Sequence, residues 1–133
     1  MTPETESKIR QLSSLFAKQI EIIDSTPFKD ISPEQEQQSQ ADALELEELI
    51  EDIAYELDTF KGGRFTVASI INITRNEGSD AAEPLAHHLD LLTAFQKNIQ
   101  EICNEKGLGD MNELSQEAWD KTKQQFDNTL SGP

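Results

Sequence analysis

The sequence has few of the residues that cross-link a chain. Only one of its 133 residues is a cysteine, Cys103, so an internal disulfide framework is excluded. Because Cys103 falls in an apolar helical pattern, we interpret it as a small buried hydrophobic residue. Tryptophan and tyrosine also occur once each, yet six phenylalanines and a hydrophobic fraction of 35% suffice for one core. The length predicts a single helical domain over residues 1–133.

Positively charged residues are scarce. Eleven lysines and arginines stand against 26 aspartates and glutamates, and the formal net charge is −15. Since lysine and arginine provide the affinity for phosphate backbones, this composition argues against direct binding to nucleic acid or to an anionic membrane. It favours a basic protein partner, a divalent cation, or an acidic surface that only keeps the protein in solution.

Long apolar runs are absent, and none approaches the length of a membrane-spanning helix. The first six residues include two glutamates and no basic residue, and they lack the basic-then-apolar order of a signal peptide. We therefore expect a cytoplasmic protein.

What the sequence does have is apolar residues that recur every three or four positions, which is the period of an amphipathic α-helix. This period predicts four long helices. The first runs from about Pro3 to Asp24, and the second ends at Gly62-Gly63. The third has Pro84 in its opening turn, and the fourth begins at Asp110.

Residues 25–40 are predicted to be a linker. They include Pro27 and Pro33 and show no apolar period until their end. The second half carries a helix-start signal, because Ser32 followed by Pro33 and Gln35 has the spacing of a capping box. We therefore expect the linker to turn into the start of the second helix.

The second helix combines the most regular apolar seam with the strongest charge asymmetry. Its seam consists of Ala43, Leu46, Ile50, Ile53, Leu57 and Phe60. Its other face carries Asp42, Glu45, Glu47, Glu48, Glu51, Asp52, Glu56 and Asp58. Like charges three or four residues apart repel by about 0.2–0.5 kcal/mol per pair. The acidic face is therefore a solvated surface, a surface for a basic partner, or a metal site.

The segment from Phe65 to Arg75 is rich in β-branched residues and by propensity favours a strand. A single strand would have no partner in an otherwise helical chain, so we predict a short buried helix capped by Thr66.

The predicted fold is all-α, a four-helix bundle with one extra short helix between the second and third long helices. Because the apolar surface of the segment from Phe65 to Arg75 and of the second helix exceeds what one thin bundle covers, we also predict a homodimer.

Three glutamates of the second helix, Glu47, Glu48 and Glu51, form a compact carboxylate cluster. Oxygen ligands of this kind suit Mg²⁺ or Mn²⁺, which would hold a triphosphate and activate water. Here the chain resembles the all-α nucleoside triphosphate pyrophosphohydrolases of the MazG type. That family has two adjacent glutamates, a third three residues later, and a Glu and Asp three apart on a neighbouring helix. The resemblance covers roughly Glu47 to Phe126.

The second carboxylate pair of the family pattern has two candidate positions. Glu77 and Asp80 have the right residue types, but Gly78 between them favours a loop where the family has a helix. The alternative is the stretch that ends at Asp90, in which His87 stands where a glutamate belongs. The resemblance thus implies that Glu77, Asp80 or Asp90 completes the metal site.

Two function classes follow from the sequence. The first is a non-enzymatic interaction protein, such as an adaptor, inhibitor, immunity factor or chaperone, that needs no cofactor and binds a partner through the acidic second helix. The alternative is a divergent MazG-like pyrophosphohydrolase that depends on Mg²⁺ or Mn²⁺. The two differ in whether Glu48, Glu51 and a later aspartate converge on one point.

Overall fold

The computed structural model describes the backbone of residues 1–59, 63–107 and 109–130 and the side chains of residues 1–59, 66–107 and 109–126. Within these ranges the chain forms helices and no strand, so the predicted all-α class is confirmed. The α-helices are α1 (Pro3–Ser25), α2 (Pro33–Glu56), α3 (Gly63–Asn76), α4 (Ala82–Lys106) and α5 (Met111–Leu130), and a short 3-10 helix spans Phe28–Asp30.

The start of α2 is fixed by the predicted capping box. The backbone N–H of Gln35 donates to Ser32 Oγ at 3.1 Å, and the backbone N–H of Ser32 donates to Gln35 Oε1 at 3.0 Å. Helical residues therefore begin at Pro33. The second half of the predicted linker 25–40 is consequently helix, and residues 26–32 connect α1 to α2.

The β-branched segment after α2 is a helix, α3, as predicted from the helical context. It buries Ile70 and Ile71 against the other helices, and this burial overrides the strand propensity of its residues. The prediction that Thr66 caps this helix is wrong, because α3 begins three residues earlier and Thr66 lies buried within it. The chain then turns at Gly78, whose φ is +77°.

The helices α1 and α4 lie at the centre of the core and run in the same direction. Their N-terminal halves share one hydrophobic cluster and their C-terminal halves share another. We call these the first and second clusters. The first cluster consists of Ile9, Leu12, Phe16, Leu46, Leu49, Ile53, Val67, Ile70, Ile71, Ala81, Leu85 and Ala86. The second consists of Phe95, Ile102, Leu114, Ala118 and Trp119.

The remaining helices flank this central pair. α2 packs antiparallel to α1 and α5 packs antiparallel to α4, so neighbouring helices follow the order α2, α1, α4, α5. α3 lies against α2 and α4. None of the helices in the described ranges is both long enough and apolar enough to cross a lipid bilayer.

The apolar seam of α2 is rotated slightly from its predicted position. Leu46, Leu49 and Ile53 are buried in the first cluster, but Ala43 is exposed. Asp42, assigned from the sequence to the acidic outer face, is only 3% exposed. The placement of these two residues was therefore wrong, because a polar contact with α1 decides which side of this turn is buried.

The predicted homodimer depended on apolar surface that the described residues largely bury within one chain. Ile53, Ile70 and Ile71 are covered by the chain's own helices. The homodimer therefore stays a prediction, and this apolar surface no longer supports it. The predicted seam residue Phe60 and the side chain of Phe65 lie outside the described residues.

Candidate functional site

The outer side of α2 carries the candidate site. Leu44, Glu48, Glu51 and Tyr55 are spaced by four, three and four residues, which places them along one line on the helix surface. We call these four residues the α2 stripe. Leu44 is 63% exposed and Tyr55 is 74% exposed. They stand about 16 Å apart, given a rise of 1.5 Å per residue. Two glutamates thus lie between two exposed apolar ends.

The carboxylates of α2 differ in whether a cation neutralises them. Lys8 Nζ lies 2.9 Å from Glu56 Oε1, and Lys18 Nζ lies 3.2 Å from Asp42 Oδ2, so α1 neutralises this edge of α2. The other seven carboxylates of α2 form no ion pair with any cation in the described part of the chain: Glu34, Glu36, Glu45, Glu47, Glu48, Glu51 and Asp52. The α2 stripe therefore lies in an acidic surface that the described residues do not neutralise.

Asp42 fastens α2 to α1 on the side opposite this surface. Its Oδ1 accepts a hydrogen bond from Gln38 Nε2 at 3.0 Å, and Lys18 approaches its other oxygen. The Gln38 hydrogen bond, followed by the Lys18 contact, holds the pKa of Asp42 below its ordinary value. Asp42 is thus charged at neutral pH, and it fixes the orientation in which α2 presents its outer face.

Two carboxylates of the metal hypothesis form ion pairs with the N-terminal amino group and with α1. Glu77 Oε2 lies 2.7 Å from the amino group of Met1, and Asp80 Oδ1 lies 2.7 Å from Arg10 Nη2. The Arg10 hydrogen bond lowers the pKa of Asp80. Both residues flank the turn between α3 and α4, whereas their proposed metal-binding partners lie on α2.

The remaining carboxylates of that hypothesis, Glu47, Glu48, Glu51 and Asp90, are exposed on α2 and α4. In the described ranges, no three residues of the types His, Cys, Asp and Glu are grouped so that they could hold a metal ion. The structure therefore does not bring these four residues together with Glu77 and Asp80 as one ligand set.

A second feature is a cleft of about 280 Å³ between α1 and the first turns of α4. Two polar atoms in its walls, Ser13 Oγ and His88 Nδ1, are buried without a hydrogen-bond partner among the described residues. Burial, and then the neighbouring His87, lower the pKa of His88. Protonation of His88 therefore opposes folding, and its cost to stability appears as the pH falls below the ordinary histidine pKa.

We expect Ser13→Ala to stabilise the protein. A buried hydroxyl without a partner costs about 1–3 kcal/mol, and alanine is the better helix former by about 0.5 kcal/mol. Urea denaturation should show a free energy of unfolding higher by about 1 kcal/mol or more. The control is Ser14→Ala, which removes an exposed hydroxyl that donates to the Arg10 carbonyl at 3.1 Å and should change stability less. A loss of stability in Ser13→Ala would contradict the assignment of an unpaired hydroxyl.

Comparison with known proteins assigns the chain to no family. No family model matches it, and neither a curated protein nor a solved structure shows significant similarity to it.

Proposed function

We propose that the protein is a cytoplasmic, non-enzymatic interaction module that binds a basic partner protein through the α2 stripe. The observation that carries this proposal is the alignment of exposed Leu44 and Tyr55 with glutamates that no described cation neutralises. A single exposed apolar residue is ordinary on a protein surface. Two exposed apolar residues on one line of a helix, with carboxylates between them, instead offer both apolar and charged contacts to one partner helix. The four long helices, acting as a bundle with α3 as its extra short helix, would hold this surface in place.

Charge decides between a basic partner and a second copy of the chain at this surface. A second copy would bring Glu48 and Glu51 close to glutamates of the same stripe, and like charges across an interface are unfavourable. A partner rich in lysine or arginine would be attracted by the net charge of −15 and would find carboxylates between the two anchors. A homodimer would therefore use a different surface.

The spacing of the anchors favours a helical partner. Leu44 and Tyr55 are eleven residues apart, so a partner helix lying alongside α2 can present apolar residues at the same spacing. Lysines or arginines between those residues would reach Glu48 and Glu51. We therefore propose a basic amphipathic helix as the bound element.

A synthetic helical peptide tests this proposal, with two leucines spaced like the anchors and lysines between them. We expect Tyr55→Ser to weaken binding by about tenfold or more, because truncation of an interface anchor costs about 2 kcal/mol. Glu48→Lys combined with Glu51→Lys should weaken it further and reduce its dependence on salt. Isothermal titration calorimetry at two salt concentrations measures both effects.

A matched control separates specific from general electrostatic binding. Glu21→Lys combined with Glu105→Lys changes the net charge by the same amount, at exposed positions on α1 and α4. This variant should keep nearly the wild-type affinity. Equal losses in the two double variants, or no effect of Tyr55→Ser, would overturn the proposal.

Replacing Glu48 and Glu51 together by glutamine tests the MazG-like alternative. If they hold Mg²⁺ or Mn²⁺, the ion should raise the melting temperature of the wild type, and the double variant should lose that response. In our proposal the double variant relieves repulsion and melts at the same or a higher temperature, and NaCl reproduces most of any divalent effect by screening. A specific Mn²⁺ response together with pyrophosphate release from a nucleoside triphosphate would replace the interaction proposal.

A further inference from the structure

A groove separate from the α2 stripe lies beside the second cluster, where the 3-10 helix meets the start of α5. It consists of two adjoining crevices of about 470 and 440 Å³ that share Lys29 and Asn112 in their walls. We call the larger one the apolar crevice, because its apolar wall consists of Ile22, Ile23, Phe28 and Ile31. Its rim carries one residue of each charge, Lys29 and Glu36. We call the other the acidic crevice, because Glu113, Glu117 and Asp120 line it.

Contacts with α5 and with the second cluster hold the wall of the apolar crevice in place. The backbone N–H of Phe28 donates to Gln116 Oε1 at 3.1 Å, which fixes the 3-10 helix to α5. The Phe28 ring lies 5.9 Å from the ring of Phe95, in the second cluster. Ile22 and Ile31 line the crevice half-buried but pack against neither cluster within the described residues. The crevice thus presents fixed apolar surface to whatever enters it.

The acidic crevice has an excess of negative charge. Three carboxylates line it against the single cation Lys29. Glu117 pairs with Lys106 at 2.8 Å, and Asp120 accepts a hydrogen bond from Gln116 at 3.1 Å. Glu113 forms no ion pair with any cation that the structure describes. A positively charged group would therefore be favoured in this crevice over a negatively charged one.

The walls also offer neutral hydrogen-bonding groups. Gln19 and Ser39 lie beside the apolar crevice, and Asn112 borders both crevices. Amide and hydroxyl groups of this kind both donate and accept, and they match the N–H and C=O groups of a peptide backbone. A small inorganic ion would leave the apolar wall uncovered, whereas a purely apolar ligand would leave these groups and the carboxylates unused.

From this arrangement we propose that the groove binds an extended segment of a partner protein in which an apolar residue stands two positions from a lysine or arginine, because side chains two apart in an extended chain point to the same side. The apolar side chain fills the apolar crevice, and the basic side chain enters the acidic crevice. The volumes of the two crevices fall within the range of ligand pockets, about 300–1,000 Å³, so each has room for one large side chain. The proposal concerns a different surface from the α2 stripe and does not depend on it.

The probes are capped hexapeptides in which leucine or phenylalanine stands two positions before lysine or arginine. Control peptides replace the apolar residue by serine or the basic residue by glutamate. Two-dimensional ¹H–¹⁵N spectra at about 1 mM peptide, the range of weak contacts, should show shifts concentrated at Lys29, Ile31 and Asn112. Both control peptides should shift these signals much less.

Variants assign the two crevices separately. Ile22→Gln, or Ile31→Gln if the first variant fails to fold, should abolish the shifts. Glu113→Lys should remove the preference for lysine over glutamate in the peptide. Leu44→Ser on the α2 stripe should leave peptide binding unchanged, which keeps the outcomes of the two binding experiments distinguishable.

Three results would overturn the proposal. The first is the absence of shifts with every peptide, and the second is equal shifts with lysine and glutamate peptides. The third is a response to hexylammonium, a small amphipathic cation without a peptide backbone, as strong as the response to the best peptide. That last result would assign the groove to a small organic cation.

Discussion

Ile53→Asp should unfold the protein. Ile53 is fully buried in the first cluster, in the last turn of α2. Loss of a buried isoleucine side chain costs about 2–5 kcal/mol, and an unpaired buried carboxylate adds several more. The sum approaches the whole stability of a small domain, about 5–15 kcal/mol. Far-ultraviolet circular dichroism should show a large loss of helical signal, or a greatly lowered melting temperature.

Two control variants isolate the cause of this effect. Ile53→Val keeps the position apolar and should cost only about 0.5–1.5 kcal/mol. Leu44→Asp makes a similar chemical change on the exposed side of the same helix and should cost about 0.5 kcal/mol or less. If Ile53→Asp melted like the wild type, the side of α2 assigned to the core would be wrong.

Trp119→Ala should destabilise the other end of the molecule nearly as strongly. Trp119 is buried in the second cluster, where its ring stands edge-on to Phe95 at a centroid distance of 5.3 Å. Its Nε1–H donates to Asp24 Oδ1 at 3.3 Å, which connects α5 to the end of α1. Truncation of a buried tryptophan to alanine costs about 3–5 kcal/mol. Urea denaturation followed by circular dichroism measures the loss, because the variant has no tryptophan fluorescence.

A milder variant separates the packing from the hydrogen bond. Trp119→Phe keeps an aromatic ring but removes the donor to Asp24, so it should cost about 1 kcal/mol. The Lys123 hydrogen bond, and then that of Trp119, lower the pKa of Asp24. The stability from charged Asp24 is therefore present above its unfolded pKa and is lost as the pH falls through the folded value. The difference between wild type and Trp119→Phe should shrink over that acidic range, and a constant difference would contradict the assigned bond.

The sequence predicts those parts of the fold that depend on local interactions. The capping box of Ser32 and Gln35 is a contact between residues three apart, so the start of α2 follows from the sequence alone. The helical state of α3 follows from the absence of a partner for a single strand. Thr66 was misplaced as a cap because residues before it join the same helix.

The burial of Asp42 could not be predicted in this way. The pattern of apolar residues predicts that Ala43 is buried and that Asp42 is exposed. A contact with a residue on another helix reverses the burial of these two side chains. That residue is Lys18, which is 24 positions away in the chain. The exposed Leu44 and Tyr55 were also not singled out from the sequence, because their exposure depends on which neighbouring helices cover α2.

The candidate metal residues show the same limit. Glu77 and Asp80 have the spacing of a ligand pair, and nothing near them in the sequence indicates another use. Asp80 contacts Arg10, 70 residues earlier, and Glu77 contacts the amino group of Met1. Ion pairs between distant segments are invisible to spacing rules, and only the three-dimensional structure reveals them.

The division of the core into two clusters has a consequence for how the molecule opens. Within the described residues, α2 and α3 contribute only to the first cluster, and α5 and the 3-10 helix only to the second. Detachment of α5 therefore exposes one cluster while the other stays closed, whereas separation of α1 from α4 opens both. Backbone amides of α5 can exchange with solvent through partial opening, and central amides of α1 and α4 exchange only on global unfolding. A ligand in the groove beside α5 would thus slow exchange in α5 more than in the part of α2 that faces the first cluster.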